Sequence, residues 1–159
     1  MWLSDRRSFL VGLAGMAGLA GCGFAPVYAP GGAGRMLQGA VRADDPSQRH
    51  EYQFVAALEE RLGRPTAPRY ALSYRIAQRR VGDEASRVQV LGVLQYQLID
   101  MATGAEVAAG RVDGDTGYST TATQLAELAA AEDAELRLMW MLVDGLILRL
   151  ITVPELAAP

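Results

Sequence analysis

The side chains that most often serve as catalytic nucleophiles and bases are scarce in this sequence. Its 159 residues include one cysteine, Cys22, and one histidine, His50. His50 falls at the polar start of a predicted helix, where we expect a solvated side chain rather than a general base. The acidic pairs Glu59-Glu60 and Glu132-Asp133 are adjacent on predicted helices, so their carboxylates diverge by about 100°. The sequence therefore predicts a protein that is not an enzyme.

Binding sites for metals, phosphates and nucleic acids are not indicated either. The sequence has no glycine-rich phosphate loop between a strand and a helix, and no metal-ligand spacing, so we expect no cofactor. Its 18 acidic residues outnumber its 15 basic residues, all of them arginine, for a net charge of -3. A nucleic-acid-binding protein usually carries a basic stripe, so we expect no nucleic-acid partner.

Cys22 has neighbours that indicate a different chemistry for its thiol. Leu19-Ala20-Gly21-Cys22 matches the bacterial lipobox, in which the thiol receives a diacylglyceryl group and the chain is cut just before the cysteine. Small residues beside the cysteine let the signal peptidase approach the backbone. We expect a covalent diacylglyceryl and an N-acyl group on Cys22, which anchor a protein stably because each buried CH₂ contributes about 0.8 kcal/mol.

The segment before Cys22 is typical of an export signal. Arg6 and Arg7 precede an apolar run of 12 residues, 9–20, which is too short to span a bilayer as a helix. Residues 1–21 are therefore predicted to be a signal peptide. Arg6-Arg7-Ser8-Phe9-Leu10 also resembles the twin-arginine motif, so general secretion and twin-arginine export both stay open. Gly23 in place of the aspartate that favours inner-membrane retention indicates an outer-membrane lipoprotein facing the periplasm.

Four arginines are candidates for binding an anionic ligand. Arg75, Arg79, Arg80 and Arg87 cluster between two predicted strands of an otherwise acidic chain. Guanidinium forks match phosphate and carboxylate groups. The alternative is a solvated hairpin tip, because exposed charge runs usually have that role.

Hydrophobic periodicity predicts the elements that position these residues. Residues 22–34, rich in Gly, Pro and Ala, are predicted to be a flexible tether, and residues 35–154 one domain. A strand is predicted near residues 36–43, and then a helix over 48–62 with Ser47 as N-cap and Gly63 as its end.

Three strands and a long helix are predicted after the first helix. The strands are 70–77, with a polar loop over 79–87, then 88–99, and finally 105–118, after a hairpin loop from Asp100 to Gly104. Glycines in the last strand predict bulges or a bend. A capping box at Thr121 and Gln124 opens a helix of about 30 residues that Pro154 stops.

Two apolar faces are predicted on this long helix. The main stripe, which we expect against the sheet, contains Leu128, Leu136, Met139, Trp140 and Val143 among others. Opposite it lie Leu138, Met141 and Leu148, a candidate partner interface unless the first helix covers them. The element order predicts an α+β two-layer sandwich, with a four-stranded mixed sheet and two helices on one face.

The predicted mature chain opens with Cys22-Gly23-Phe24-Ala25-Pro26-Val27-Tyr28. This opening resembles the start of the LPS-assembly lipoprotein (LptE) family, and of its alphaproteobacterial branch in particular. The stretch 54–63, the Tyr-x-Leu-x-Tyr strand and the Tyr118-Ser-Thr-Thr lead into the last helix are similar too. Gly145 departs from the pattern, because a helix-favouring residue is expected there.

The resemblance implies a role without catalysis. It implies an outer-membrane lipoprotein that assembles with the LPS-assembly β-barrel protein (LptD), binds lipopolysaccharide and helps deliver it to the outer leaflet. The alternative is a generic periplasm-facing lipoprotein that acts as a small-ligand carrier or a transporter accessory subunit.

Overall fold

Four strands form one mixed sheet in the computed structural model, and the two long helices pack together on one of its faces. The structure describes Tyr28 and residues 31–83, 87–120 and 123–157. The predicted signal peptide and the predicted lipidation site Cys22 lie outside the described residues. The elements are α1 (Ala33–Leu37), β1 (Val41–Ala43), α2 (Arg49–Leu62), β2 (Tyr70–Asp83), β3 (Arg87–Asp100), β4 (Glu106–Ser119), α3 (Gln124–Leu150) and α4 (Pro154–Ala157).

The strands lie in the sheet in their chain order, from β1 to β4. β1 pairs parallel with β2, and α2 makes the crossover that a parallel pair needs. β2 with β3 and β3 with β4 form antiparallel pairs. The predicted α+β sandwich, with a four-stranded mixed sheet and two helices on one face, is confirmed.

Alternate residues of β2 and β3 face the helices, as the period of two predicts. Tyr70 and Leu72 in β2, like Leu94 and Leu98 in β3, are buried. We call this side of the sheet the helix face and the other side the open face. Val41 of β1 is also buried, and it lies beside Tyr70 in register.

The hairpin between β2 and β3 is longer than predicted. The polar stretch from Arg79 to Arg87 was expected to be a loop, but β2 continues to Asp83 and β3 begins at Arg87. Arg79 lies opposite Leu91 and Arg80 opposite Val90. Arginine can occupy such strand positions because its aliphatic stem lies along the sheet while its guanidinium reaches water.

The glycines of β4 do not form the predicted bulges. Gly110 and Gly114 sit in regular register, and the only register shift described for this strand pair lies between Leu98 and Ile99. Instead, Gly110 makes room for a neighbour, because a Cβ there would lie 3.0 Å from the Tyr96 hydroxyl oxygen. The glycines therefore adapt the sheet surface to bulky side chains that cross it.

The loop between β3 and β4 is the predicted one. The Asp100 carboxylate accepts hydrogen bonds from the backbone N–H groups of Ala102 (2.8 Å) and Thr103 (3.3 Å), and Arg69 Nε donates to it at 3.2 Å. These bonds, led by that from Ala102, lower the pKa of Asp100. Gly104 closes the loop with a φ of +72°, in the left-handed region that glycine tolerates.

The N-terminal part of the domain differs from the prediction. Instead of a strand over 36–43, the chain forms helix α1, turns at Gly39 with a φ of +64°, and enters the short strand β1. Ala33 and Leu37 are buried, so the end of the predicted tether belongs to the folded domain. Leu37 and Val41 both reach the core, as the sequence indicates, but from two elements instead of one.

Helix α2 begins one residue later than predicted. Gln48 is its N-cap and forms a capping box with Glu51, whereas Ser47 donates to the Glu51 carboxylate from its N–H (2.7 Å) and its hydroxyl (2.9 Å). These bonds from Ser47 lower the pKa of Glu51. The helix ends before Gly63, as predicted.

Helix α3 spans 27 residues, slightly fewer than predicted. Its N-cap is Thr123 rather than Thr121, and the Thr123 hydroxyl accepts from the N–H of Ala126 at 3.4 Å. It ends at Leu150, and Pro154 begins α4 instead of stopping α3 directly. Among the described residues, no helix is both long and apolar enough to cross a membrane.

Candidate functional site

The period of two in β2 divides the four candidate arginines between the two faces of the sheet. Arg75 and Arg79 lie on the open face, and Arg87 begins β3 on the same face. All three are exposed, and no ion pair involves them within the described residues. They remain candidates for binding an anion.

Arg80 is separated from that group. Its side chain lies on the helix face and forms an ion pair with Glu135 of α3. The Glu135 side chain is largely covered, so this pair links the end of β2 to the first half of α3. Adjacent residues of a strand point to opposite faces, which is why Arg80 cannot join Arg79 in one site.

A fourth open-face arginine, Arg111 of β4, was missed by sequence reasoning. The strand register places Arg75, Gln95 and Arg111 side by side across β2, β3 and β4. Arg111 Nε donates to Asp113 at 2.9 Å, and this bond raises the pKa of the guanidinium. The alternation of side chains along β4 indicates which face of the strand carries Arg111. The register of β4 with β3, which places Arg111 beside Gln95, cannot be read from the sequence.

Between these arginines the open face forms a shallow depression of about 410 Å³. Ala77 of β2 and Leu91 and Val93 of β3 supply apolar lining. Charged groups surround it: Arg79, Arg111, Asp113 and Asp115. Asp113 is paired with Arg111, and Asp115 lies across Leu91 from Arg79, so the charges lining the depression balance. Arg75, on the same face beyond Ala77, adds one positive charge beside it. Such a surface suits a ligand that carries both anionic groups and an alkyl chain.

The predicted partner interface on α3 is only partly exposed. Leu138 is fully buried against Gly92 of β3 and Gly114 of β4, and a Cβ on Gly92 would lie 2.9 Å from it. Met141 and Leu148 are 45% and 62% exposed. The grouping of Leu138 with these two residues is therefore corrected: Leu138 belongs to the core.

The predicted main stripe of α3 is confirmed in part, because Met139 and Val143 are buried. Leu128, Leu136 and Trp140 were expected against the sheet, but all three are exposed. The helix is apolar around much of its circumference, so its sequence does not fix which arc faces the sheet. Leu138 packs over Gly92 of β3 and Gly114 of β4. This packing places Trp140, Met141 and Leu148 away from the sheet. We call these three residues the outer apolar face.

The residues considered for catalysis are dispersed. Glu59 pairs with Arg64 at 3.3 Å, Glu132 with Arg49 at 3.1 Å, and Asp133 with Arg137 at 2.9 Å. His50 is half-buried rather than solvated, and its Nε2 has no hydrogen-bond partner within the described part of the chain. Nor do His, Cys, Asp and Glu side chains gather there in a group that could hold a metal.

Comparison with known proteins identifies the fold. The sequence matches no protein-family model and no curated protein. A solved structure from Caulobacter crescentus CB15, named as a lipoprotein, aligns with 25% identity and a TM-score of 0.69, over 80% of this chain and 97% of that one.

Two more distant structures have the same fold. The minor lipoprotein of Acinetobacter baumannii aligns at 13% identity and a TM-score of 0.51, over 70% of this chain and 88% of that one. The rare lipoprotein B of Shewanella oneidensis aligns at 12% identity and a TM-score of 0.52, over 73% and 94%. The chain thus has the α+β fold found in several bacterial proteins named as lipoproteins.

Proposed function

We propose that this chain is an outer-membrane lipoprotein that faces the periplasm, assembles with the LPS-assembly β-barrel protein (LptD), and helps bind and deliver lipopolysaccharide. The observation that carries the proposal is the open face of the sheet. There Arg75, Arg79 and Arg111 lie on the same face as the apolar residues Leu91 and Val93, together with Asp113 and Asp115. Lipopolysaccharide combines phosphate groups with acyl chains, which is the pair of chemistries that this surface offers.

Two observations support the proposed lipid anchor, one from the sequence and one from the fold. The lipobox ends at the one cysteine of the chain, Cys22. The similar structures from Caulobacter, Acinetobacter and Shewanella are all named as lipoproteins. Both observations support a lipid-anchored protein.

The outer apolar face supports a protein partner. Trp140, Met141 and Leu148 are each more than two-fifths exposed on α3, and the exposed charged residues Arg137 and Asp144 lie among them. Exposed apolar patches on soluble domains often mark interfaces. We assign this face to the inner wall of the barrel partner, and the open face of the sheet to the lipid.

Lipid binding is tested by reversing charge on the open face. Arg75→Glu combined with Arg79→Glu should weaken lipopolysaccharide binding by at least about tenfold, because each guanidinium makes charge-assisted hydrogen bonds to phosphate. Arg35→Glu combined with Arg149→Glu makes the same charge change at exposed positions away from the open face and serves as the control. Binding is measured on purified protein with circular dichroism as a check on folding. Unchanged binding by the folded double variant would refute the lipid-binding role.

Lipidation is tested by intact mass. Protein extracted from membranes should exceed the mass of the polypeptide from Cys22 to Pro159 by a diacylglyceryl and an N-acyl group. Cys22→Ala should leave an uncleaved precursor. A mature chain without lipid would contradict the proposed anchor.

Partnership is tested by co-purification. The wild-type protein should co-purify with the LPS-assembly barrel from detergent-solubilised outer membranes, and Met141→Asp should not. If wild-type protein is recovered without the barrel, the generic carrier or transporter-accessory role becomes the better explanation.

A further inference from the structure

The edge strand β1 leaves two residues with unpaired backbone groups. Tyr70 N–H donates to the Ala40 carbonyl at 2.9 Å, and Asp44 N–H donates to the Leu72 carbonyl at 2.9 Å. In a parallel pair, alternate residues bond to the neighbouring strand, so the groups of Arg42 face β2. The N–H and C=O groups of Val41 and Ala43 therefore point away from the sheet.

The segment after α2 covers this edge at Gly39 but not beyond it. Gly39 N–H donates to the Leu62 carbonyl at 2.7 Å, and its carbonyl accepts from Thr66 at 3.2 Å. No backbone group within the described residues makes such bonds with Val41 or Ala43 on the outer side. The open stretch is thus short and lies directly after the covered one.

A groove of about 270 Å³ runs between this open stretch and α2. Val41 and Ala43 form its strand side, and Val55, Leu58 and Leu62 form its helix side. Leu58 and Leu62 are buried core residues, whereas Val55 is only half-covered. An aliphatic side chain seated there would extend the core past the edge of the sheet.

The charged residues at one end of the groove indicate a second property of the segment that would bind there. Asp44 and Asp45 follow β1 and line the groove, and both are exposed. Neither has an ion pair within the described residues. A basic side chain on the occupant would be favoured beside them.

From these features we infer that the groove between β1 and α2 binds an extended segment of a partner polypeptide, which adds to the sheet as a fifth strand. The segment places an aliphatic side chain over Val55 and a basic residue beside Asp44 and Asp45. Strand addition next to a helix supplies affinity through backbone hydrogen bonds and specificity through the side-chain pocket. This inference does not depend on lipid binding by the open face.

The other edge of the sheet is a poorer site for such a segment. β4 is longer, but its side chains toward the open face include Arg111, Asp113 and Asp115. Charged side chains on an edge strand discourage strand addition.

The test uses the full chain in detergent micelles and two synthetic hexapeptides that alternate valine and threonine. One begins with arginine and the other ends with it. We expect at least one to bind saturably and to slow amide hydrogen exchange at Val41 and Ala43. The same peptide with the amides that face β1 N-methylated should bind about tenfold more weakly, because it loses two or more hydrogen-bond donors to β1.

Matched variants separate strand addition from apolar adhesion. Ala43→Pro removes one N–H that faces away from β2, so it should weaken peptide binding about fivefold without breaking the pairing of β1 with β2. Ala43→Val keeps the N–H and should bind like wild type. Asp44→Asn with Asp45→Asn should weaken binding about threefold. If Ala43→Pro fails to fold, the comparison of methylated and unmethylated peptides on wild-type protein decides alone.

Several results would overturn the inference. In the peptide experiments these are equal affinity for the methylated and unmethylated peptides, absence of saturable binding by either peptide, and protection of β4 amides instead of β1 amides. In the variant experiment it is undiminished peptide binding by folded Ala43→Pro. Self-association that Ala43→Pro weakens would make a second copy the occupant. Protection at Val41 and Ala43 in the free chain, lost on deletion of residues 23–30, would make the occupant a segment of this chain.

Discussion

Gly145 of α3 lies directly over Val112 of β4, so closely that a Cβ on the glycine would be 2.6 Å from Val112 Cγ1. Val112 is buried and its β-branched side chain has little rotamer freedom. The glycine that departs from the pattern expected of a helix is therefore required by the approach of α3 to the sheet. The helix continues without interruption through it.

We expect Gly145→Ala to lower the free energy of unfolding by about 1 kcal/mol. Overpacking costs about 1–3 kcal/mol, and the improved helix propensity of alanine returns about 1 kcal/mol. Adding Val112→Ala should relieve the clash, so the two substitutions should be non-additive in urea unfolding. Additive effects would show that the close approach is not the cause.

Neighbouring arginines of β2 should differ in their importance for stability. Arg80→Glu replaces the ion pair with Glu135 by repulsion across the β2–α3 contact, so we expect a loss of about 1 kcal/mol. Arg79→Glu, on the open face, should change the stability by less than about 0.5 kcal/mol. Urea unfolding of both variants checks the contrast, which equal losses would contradict.

Substitutions at two residues of α3 that the sequence groups together should lower the free energy of unfolding by very different amounts. Leu138→Ala empties a fully buried position beside Gly92 and Gly114 and should cost about 2–5 kcal/mol. Met141→Asp, on the outer apolar face, should cost no more than about 1 kcal/mol. Thermal unfolding distinguishes them. A folded domain that loses several kcal/mol on Met141→Asp would mean that this residue is covered.

Tyr74 should contribute to the loss of stability at alkaline pH. Its ring packs against Phe54 with centroids 4.9 Å apart, and its hydroxyl has no hydrogen-bond partner among the described residues. Burial raises the pKa of Tyr74 from 10.0 to about 12, and the nearby carboxylates of Glu51, Asp44 and Asp45 add to the shift.

The folded state therefore holds this proton more tightly than the unfolded state. The stabilisation is complete below pH 10 and is lost as the pH rises to about 12. Tyr74→Phe should flatten this alkaline decline and should gain up to about 1 kcal/mol at neutral pH, because it removes an unpaired buried hydroxyl. Tyr52→Phe, at an exposed position, is the control and should behave like wild type. An alkaline decline in Tyr74→Phe as steep as in wild type would contradict this.

The sequence by itself determined the fold class and most element positions. The period of two over residues 70–77 and 88–99 specifies which side chains are buried, because a strand exposes alternate residues to opposite faces. Gly63 and the loop from Asp100 to Gly104 mark chain turns through their own conformational preferences. These are local properties, which a single sequence carries.

Only the tertiary structure decided which side of each element meets which neighbour. Four arginines close together in the chain were divided between two faces, and strand register placed Arg111, 36 residues after Arg75, in the same cross-strand row as Arg75. On α3, periodicity identified buried residues such as Met139 and Val143, but apolar residues surround much of the helix, so it could not set the limits of the buried arc. That arc was selected by the fit of Leu138 into the glycine positions of β3 and β4, a complementarity between segments far apart in sequence.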